Sequence, residues 1–237
     1  MYVPSYANAR KRRATILRLK QRGVIFIDEA HTYIEESVRI GRGTVIHPNV
    51  YIEGETIIGR NCVVGPDVLM RNSRIANSCS VGFGAHIEAS VLNPTCEIAH
   101  AQIVRSFLGA RTKAKHNCYI GDAHIGKDCN IGAGTVFCNY DGEEKNATIL
   151  EDEVFVGSGT MLVAPLRIGK GAVIAAGSVV TQDVPAGGTL VIARTQLHEH
   201  TLKEVIRALE TTPVQIHKPN RYSHDKSGWH KIPKPAQ

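Results

Sequence analysis

The sequence predicts an all-β fold, a parallel β-helix built as a prism of short strands, and three observations carry this. An aliphatic residue returns every six positions, at Ile34, Ile40, Ile46, Ile52, Ile58 and Val64. Two positions ahead of each stands a small or β-branched residue: Thr32, Val38, Thr44, Val50, Thr56 and Cys62. Residues that tolerate unusual backbone angles, Gly43, Asn49, Asn61, Asp67 and Asn77, fall where such a chain must turn a corner.

An α-helix cannot use a six-residue step. At about 100° per residue the aliphatic positions would spiral around the axis and form no stripe. One inward aliphatic residue per short strand, with a corner every six residues, instead bends the chain into three-sided coils. Coils of this kind stack through parallel backbone hydrogen bonds about 4.8 Å apart. The step resumes at Ile75, Val81 and Ile87, at Ile125, Ile131 and Phe137, and from Leu150 through Val156, Leu162, Ile168 and Ile174 to Val180. Residues 32–182 then hold roughly eight coils. The period by itself does not set their handedness.

The elements follow in order. Residues 1–23 read as an N-terminal helical cap, with a helix over 7–22 whose Ile16 and Leu17 cover the end of the prism and whose stop is Gly23. Residues 24–196 are the β-helix. Its register slips around Asn93 and Pro94 and again between Val104 and Leu108, and after Phe137 the polar segment CNYDGEEKNAT interrupts it. Such an insertion leaves the prism as a loop, and loops on solenoids commonly carry function. Residues 197–237 read as a second helix over 197–211 and an extended, proline-spaced tail.

The net charge is +6, crowded into Arg10, Lys11, Arg12, Arg13, Arg18, Lys20 and Arg22. With no aromatic residues interleaved for base stacking, this reads as a solvated helix face, and no nucleic-acid partner is expected. No apolar run approaches the roughly 18 residues of a membrane span, and MYVPSYANARKRR lacks the apolar core of a secretory signal. A cytoplasmic protein without membrane association is expected. The six cysteines, Cys62, Cys79, Cys96, Cys118, Cys129 and Cys138, form no CxxC pair and read as reduced, small apolar fillers, so no metal is expected.

Residues 113–142, KAKHNCYIGDAHIGKDCNIGAGTVFCNYDG, concentrate polar groups. Adjoining coils place His116, Asn130 and the insertion along one corner region. Taken singly, His116 reads as a surface histidine, Asn130 and Asn139 as corner residues, Tyr119 and Tyr140 as packing residues and Lys145 as a solvated loop charge. Cys118 and Cys138 have no base beside them in a recognised nucleophile pattern.

Together these segments resemble the acetyltransferase domain of the bacterial bifunctional N-acetylglucosamine-1-phosphate uridyltransferase/glucosamine-1-phosphate N-acetyltransferase. The likeness runs from about Arg22 to Arg194. It is densest in KAKHNCYIGDAHIGKDCNIGAG, NYDG, VFVGSGTMLVAP and VIAAGSVVT. The resemblance implies a left-handed β-helix and a homotrimer with sites shared between subunits. Acetyl-CoA is the implied co-substrate, and glucosamine 1-phosphate the amine acceptor, on the way to UDP-N-acetylglucosamine. His116 matches the catalytic base, which an amine attacking a thioester requires. Tyr119 and Asn130 match sugar contacts and Lys145 a phosphate contact, while Ala133, Asn139, Tyr140, Ser158, Ala176 and Arg194 match the acetyl-CoA side. The tail SGWHKIPKP is similar to the tryptophan-containing basic tail of some members.

The acceptor half departs from the pattern. The family's phosphate-gripping arginine and lysine fall on His86 and Val104, and Arg105, one residue later, is left to supply part of that charge. No glycine-rich nucleotide loop precedes the ladder, so no uridyltransferase activity is expected, although the basic first segment can dock a separate nucleotidyltransferase. Three alternatives stay open: a catalytically silent scaffold or regulatory partner, an acetyltransferase for another amino sugar, and a zinc lyase or hydratase using His86, His116 and His124.

Overall fold

The computed structural model describes residues 4–190 and the strands Tyr222–Asp225 and Gly228–Lys231. The chain divides into two compact units, residues 1–193 and 194–237. In the first, three parallel sheets form the faces of a left-handed β-helix of about nine turns. The first face has ten strands, from Ile25–Phe26 to Thr189–Leu190. The second has nine, from Thr32–Ile34 to Val179–Val180, and the third eight, from Arg39–Ile40 to Leu166–Ile168.

The six-residue aliphatic positions point inward and are buried, among them Ile46, Ile98 and Ile174 on the first face, Ile52, Ile103 and Phe137 on the second, and Ile58, Leu108 and Ile168 on the third. The residues two ahead are buried as well, and their polar atoms mostly bond to the backbone, as a closed interior requires, Thr148 Oγ1 being without a partner. Thr44 Oγ1 donates to Gly59 O at 2.8 Å, and Ser106 Oγ to Val104 O at 2.9 Å. Five cysteines sit in these interior positions. Cys138 is the exception: it flanks inward Phe137 in the strand Val136–Cys138 and is half-buried.

Coil length varies. Ile52 lies beside Met70, eighteen residues on; Met70 to Ile87 and Ile103 to Ile120 take seventeen, and Ile87 to Ile103 sixteen. The missing residues are lost at corners. Asn72, Ala89, Arg105 and Asp122 turn the chain from the second face to the third, and His100 from the first to the second, each with a single left-handed residue at φ 47–50°. The expected slip between Val104 and Leu108 is therefore the Arg105 corner. The one expected around Asn93 and Pro94, between Ile87 and Ile98, is the Ala89 corner; the Asn93–Pro94 corner itself keeps its six residues, with Thr95 at φ 61°, and a further residue is lost at His100. The expectation for Asn77 is corrected. Ser78 takes the left-handed conformation, and Asn77 Oδ1 accepts the Arg60 N–H at 2.8 Å.

The insertion, residues 139–147, leaves from the corner between the second and third faces, one coil beyond Asp122. At the other end of the prism a helix spans Ala9–Gln21, with Asn8 as N-cap and Gly23 at φ 86° beyond its end. Ile16 and Leu19 are buried on its inner face, whereas Leu17 is 58% exposed. The expected Ile16–Leu17 pair is thus Ile16–Leu19, because residues three apart share a helix face. Arg12 lies over the Tyr33 ring and Arg18 Nη2 donates to Val38 O at 3.3 Å, so part of the basic cluster faces the prism.

In the second unit, Tyr222–Asp225 and Gly228–Lys231 pair as an antiparallel hairpin. The helix expected over 197–211 lies outside the described residues. Among the described residues no helix is long and apolar enough to cross a membrane. Phe137 is wholly buried next to the insertion. Phe137→Ala is expected to destabilise the chain by about 3–5 kcal/mol, read as a lowered denaturation midpoint in urea.

Candidate active site

His116 stands in the turn between the strands Lys113–Lys115 and Tyr119–Gly121, at the corner from first to second face, and is exposed. Both His116 and Asn117 are left-handed, at φ 62°. Backbone bonds stack this corner coil upon coil. Asn117 N–H donates to His100 O at 2.8 Å, Gly134 N–H to His116 O at 2.8 Å, Gly159 N–H to Ala133 O at 2.7 Å and Gly177 N–H to Ser158 O at 2.8 Å. His116, Ala133, Ser158 and Ala176 therefore follow one another on successive coils.

The column below the histidine contains only small side chains for a steric reason. A Cβ on Gly132 would drive into the Ser158 amide nitrogen, and one on Gly157 into that of Ala176. The result is a column of small residues along the corner with exposed His116 at its head. The corner is braced from inside by Cys118, whose thiol donates to Lys115 O at 3.1 Å and to Gly132 O at 3.2 Å. Burial pushes that thiol above its ordinary pKa, and it does so for Cys138 too, so both stay protonated at neutral pH.

A second cluster gathers at the opposite edge of the second face. Arg105 grips Asp122 with Nε–Oδ1 at 2.6 Å and Nη2–Oδ2 at 2.7 Å, and Asn139, buried, donates its amide to Asp122 Oδ2. The Arg105 fork holds the Asp122 carboxyl below the usual carboxylate range, against the opposing effect of burial; the Asn139 amide and the Lys145 charge add to it. Tyr119 belongs here as well. A Cβ on Gly121 would lie 2.7 Å from Tyr119 Oη and 2.6 Å from Asn139 Nδ2, so phenol and amide share the space that glycine leaves. Lys145 and Tyr140 are exposed on the insertion and bridge each other through the backbone.

The expectation that His116, Asn130 and the insertion line one corner is therefore corrected. Asn130 lies on the first face, half-buried beside Lys113 and Phe155; His116 is at the next corner; the insertion leaves a full face away. From His116 to Asp122 the chain runs six residues, a reach of up to about 20 Å. Arg194 lies outside the described residues. Asp122 escaped the sequence reading, although the five-residue step from Ile120 to Ile125 marks its corner. The upstream positions hold no free cationic pair: Val104 is buried, and His86 Nε2 stands 3.7 Å from Glu88 Oε2. His86, His116 and His124 do not converge, since His124 stacks on Phe107 at 4.6 Å on the third face. Among the described residues no group of three His, Cys, Asp or Glu is placed to hold a metal.

Residues 37–72 match the family of bacterial transferase hexapeptide (six repeats), and residues 147–182 that of the hexapeptide repeat of succinyl-transferase. The prism is built of hexapeptide repeats of the kind found in bacterial transferases. The chain is 46% identical over 188 residues to the bifunctional protein GlmU of Thermotoga petrophila, covering 72% of this chain and 42% of that one. To the GlmU of Thermodesulfovibrio yellowstonii it is 44% identical over 194 residues, covering 74% and 43%. Its prism is thus a GlmU acetyltransferase-like domain, and the chain spans less than half the length of these relatives. Two solved structures share the fold alone. The UDP-N-acetylglucosamine acyltransferase of Arabidopsis has a TM-score of 0.54 at 21% identity, covering 80% of this chain and 76% of that one. That of Francisella novicida has 0.51 at 17%, covering 79% and 81%.

Thiol accessibility is a direct check on the corner. Cys138 is expected to react first with Ellman's reagent, faster as pH rises and its thiolate forms, while the five buried thiols wait for denaturant. Early labelling of Cys118 would contradict the brace described here.

Proposed function

We propose that the chain transfers the acetyl group of acetyl-CoA to the amine of an amino-sugar phosphate, glucosamine 1-phosphate being the acceptor, with His116 as general base. The observation that carries this reading is the corner column, an exposed histidine heading a run of small residues held in register by the backbone ladder. Ala133, Ser158 and Ala176 leave room for a long, narrow pantetheine arm whose thioester ends at the histidine. The resemblance assigns the same residues to the same roles, and the GlmU relatives support it.

The chemistry is direct. The amine nitrogen attacks the thioester carbonyl carbon as the imidazole of His116 takes its proton, the new C–N bond forms, and the C–S bond breaks on collapse of the tetrahedral intermediate. The departing thiolate then takes a proton from the imidazolium, which restores the base. The oxyanion needs a fixed donor. The N–H groups of Gly134 and Gly159 are already spent on the ladder, but that of Ala133, beside the histidine's coil, donates to no backbone carbonyl among the described residues. Ala133 N–H is the donor we assign.

On the acceptor side, Arg105 keeps its charge and three N–H groups beyond the two that Asp122 occupies, and the Lys145 charge acts on the same Asp122 carboxylate. These two are the cations for the sugar phosphate, with Tyr119 and Asn139 as neighbouring hydrogen-bonding groups. Since they stand a face away from His116, the complete site is formed between subunits of a homotrimer, the edge of one chain meeting the corner of the next. With acetyl-CoA and glucosamine 1-phosphate, His116→Ala is expected to slow thiol release by about 10²- to 10⁴-fold; unchanged release would refute the base assignment. Light scattering is expected to give a trimer, and a monomer at assay concentration would contradict the shared site.

A further inference from the structure

The structure assigns Asp122 a positioning role: it fastens both ends of the 139–147 insertion and thereby sets where Asn139, Tyr140 and Lys145 meet the substrates. At the entry, its carboxylate holds the Asn139 amide. At the exit, its carbonyl accepts the Thr148 N–H at 3.3 Å. Its own place is fixed from the coil above, by its N–H on Val104 O at 3.0 Å and by the Arg105 fork.

Between these two points the insertion is bonded to itself. Asn146 N–H donates to Asn139 O at 2.7 Å. Asp141 Oδ1 accepts from the N–H of Glu143 at 2.9 Å and of Glu144 at 2.7 Å, and its Oδ2 accepts from Asn146 Nδ2 at 2.8 Å. A lobe that is internally tied takes its placement from the bonds at its two ends. At the exit Ala147 O also accepts the Leu166 N–H of the following coil at 3.3 Å, so what Asp122 governs through its side chain is the entry, by the tie at Asn139. Only a carboxylate serves. All of its partners are donors, so an amide at this position would turn its NH₂ against either Arg105 or Asn139. Asp122 touches neither substrate in this assignment, and it acts through the insertion.

The inference rests on the proposed reaction for its kinetic consequence but not for its geometry, and the test keeps the two apart. An internal control exists. Arg111 grips Asp128 by the same fork, at 2.5 and 2.6 Å and the same seventeen-residue spacing, at a corner between the third and first faces that carries no insertion. Asp122→Asn and Asp128→Asn are compared in the full chain by two readouts, steady-state kinetics with acetyl-CoA and glucosamine 1-phosphate, and the rate of tryptic cleavage after Lys145 under native conditions. Asp122→Asn is expected to raise KM for at least one substrate about tenfold while kcat changes far less, and to accelerate cleavage about tenfold; Asp128→Asn is expected to move neither. Equal behaviour of the two variants, or a loss of kcat with KM and cleavage unchanged, would overturn the positioning role. If wild type releases no thiol with any acceptor, the reaction is wrong and the cleavage comparison alone decides the tie. Asn139→Ser cuts the same tie from the loop side. It is expected to speed cleavage likewise, and unchanged cleavage there counts against the assignment even where Asp122→Asn does not fold.

Discussion

Strands of two to four residues have no stability of their own, and what holds them is the parallel hydrogen-bond ladder from each coil to the next. That ladder brings backbone against backbone at the strand spacing of about 4.8 Å, and the rest of the molecule answers to it. Interior positions accept only residues that fill a narrow prism, so methyl-bearing chains alternate with hydroxyls and thiols that bond to nearby carbonyls. At the corners the same closeness forbids Cβ atoms at Gly132 and Gly157. The glycines of the corner below His116 are thus fixed by packing alone.

The shortened corners show how the prism absorbs missing residues. Each keeps one residue in the left-handed region at φ 47–50°, tighter than the 54–63° found at the other non-glycine corners. Four of the five fall on one edge, from Asn72 through Ala89 and Arg105 to Asp122, and the insertion leaves from that edge in the following coil. The edge is also where opposite charges alternate. Glu53 holds Arg71, and Arg105 holds Asp122. A stacked corner, cross-linked by ion pairs between coils, is a firm base for a loop whose residues Tyr140 and Lys145 are exposed.

The division of polar residues between two edges bears on how such a site closes. Within one chain the histidine and the column of small residues occupy one edge of the second face, and the arginine, aspartate, tyrosine and insertion occupy the other. A single prism face separates them. Its strands are tied into the ladder on both sides, and in the proposed reaction a second chain supplies the missing side.

Much of this was legible in the residues themselves. The six-residue return of Ile34 through Val64 excludes a helix and requires a prism, because inward side chains repeat only as often as the chain turns. The KAKH, NIGAG and NYDG segments marked His116 and the insertion as places where polar groups depart from the repeat. Other features depended on the stacking. Leu17 and Leu19 are both aliphatic, and only the docked helix turns one inward. Asp122 looks like an ordinary turn residue until the coil above brings Arg105 to it and the coil below brings Asn139. Spacing along the chain determines which residues point in; which residues meet depends on coil length, and a corner one residue short shifts every contact after it.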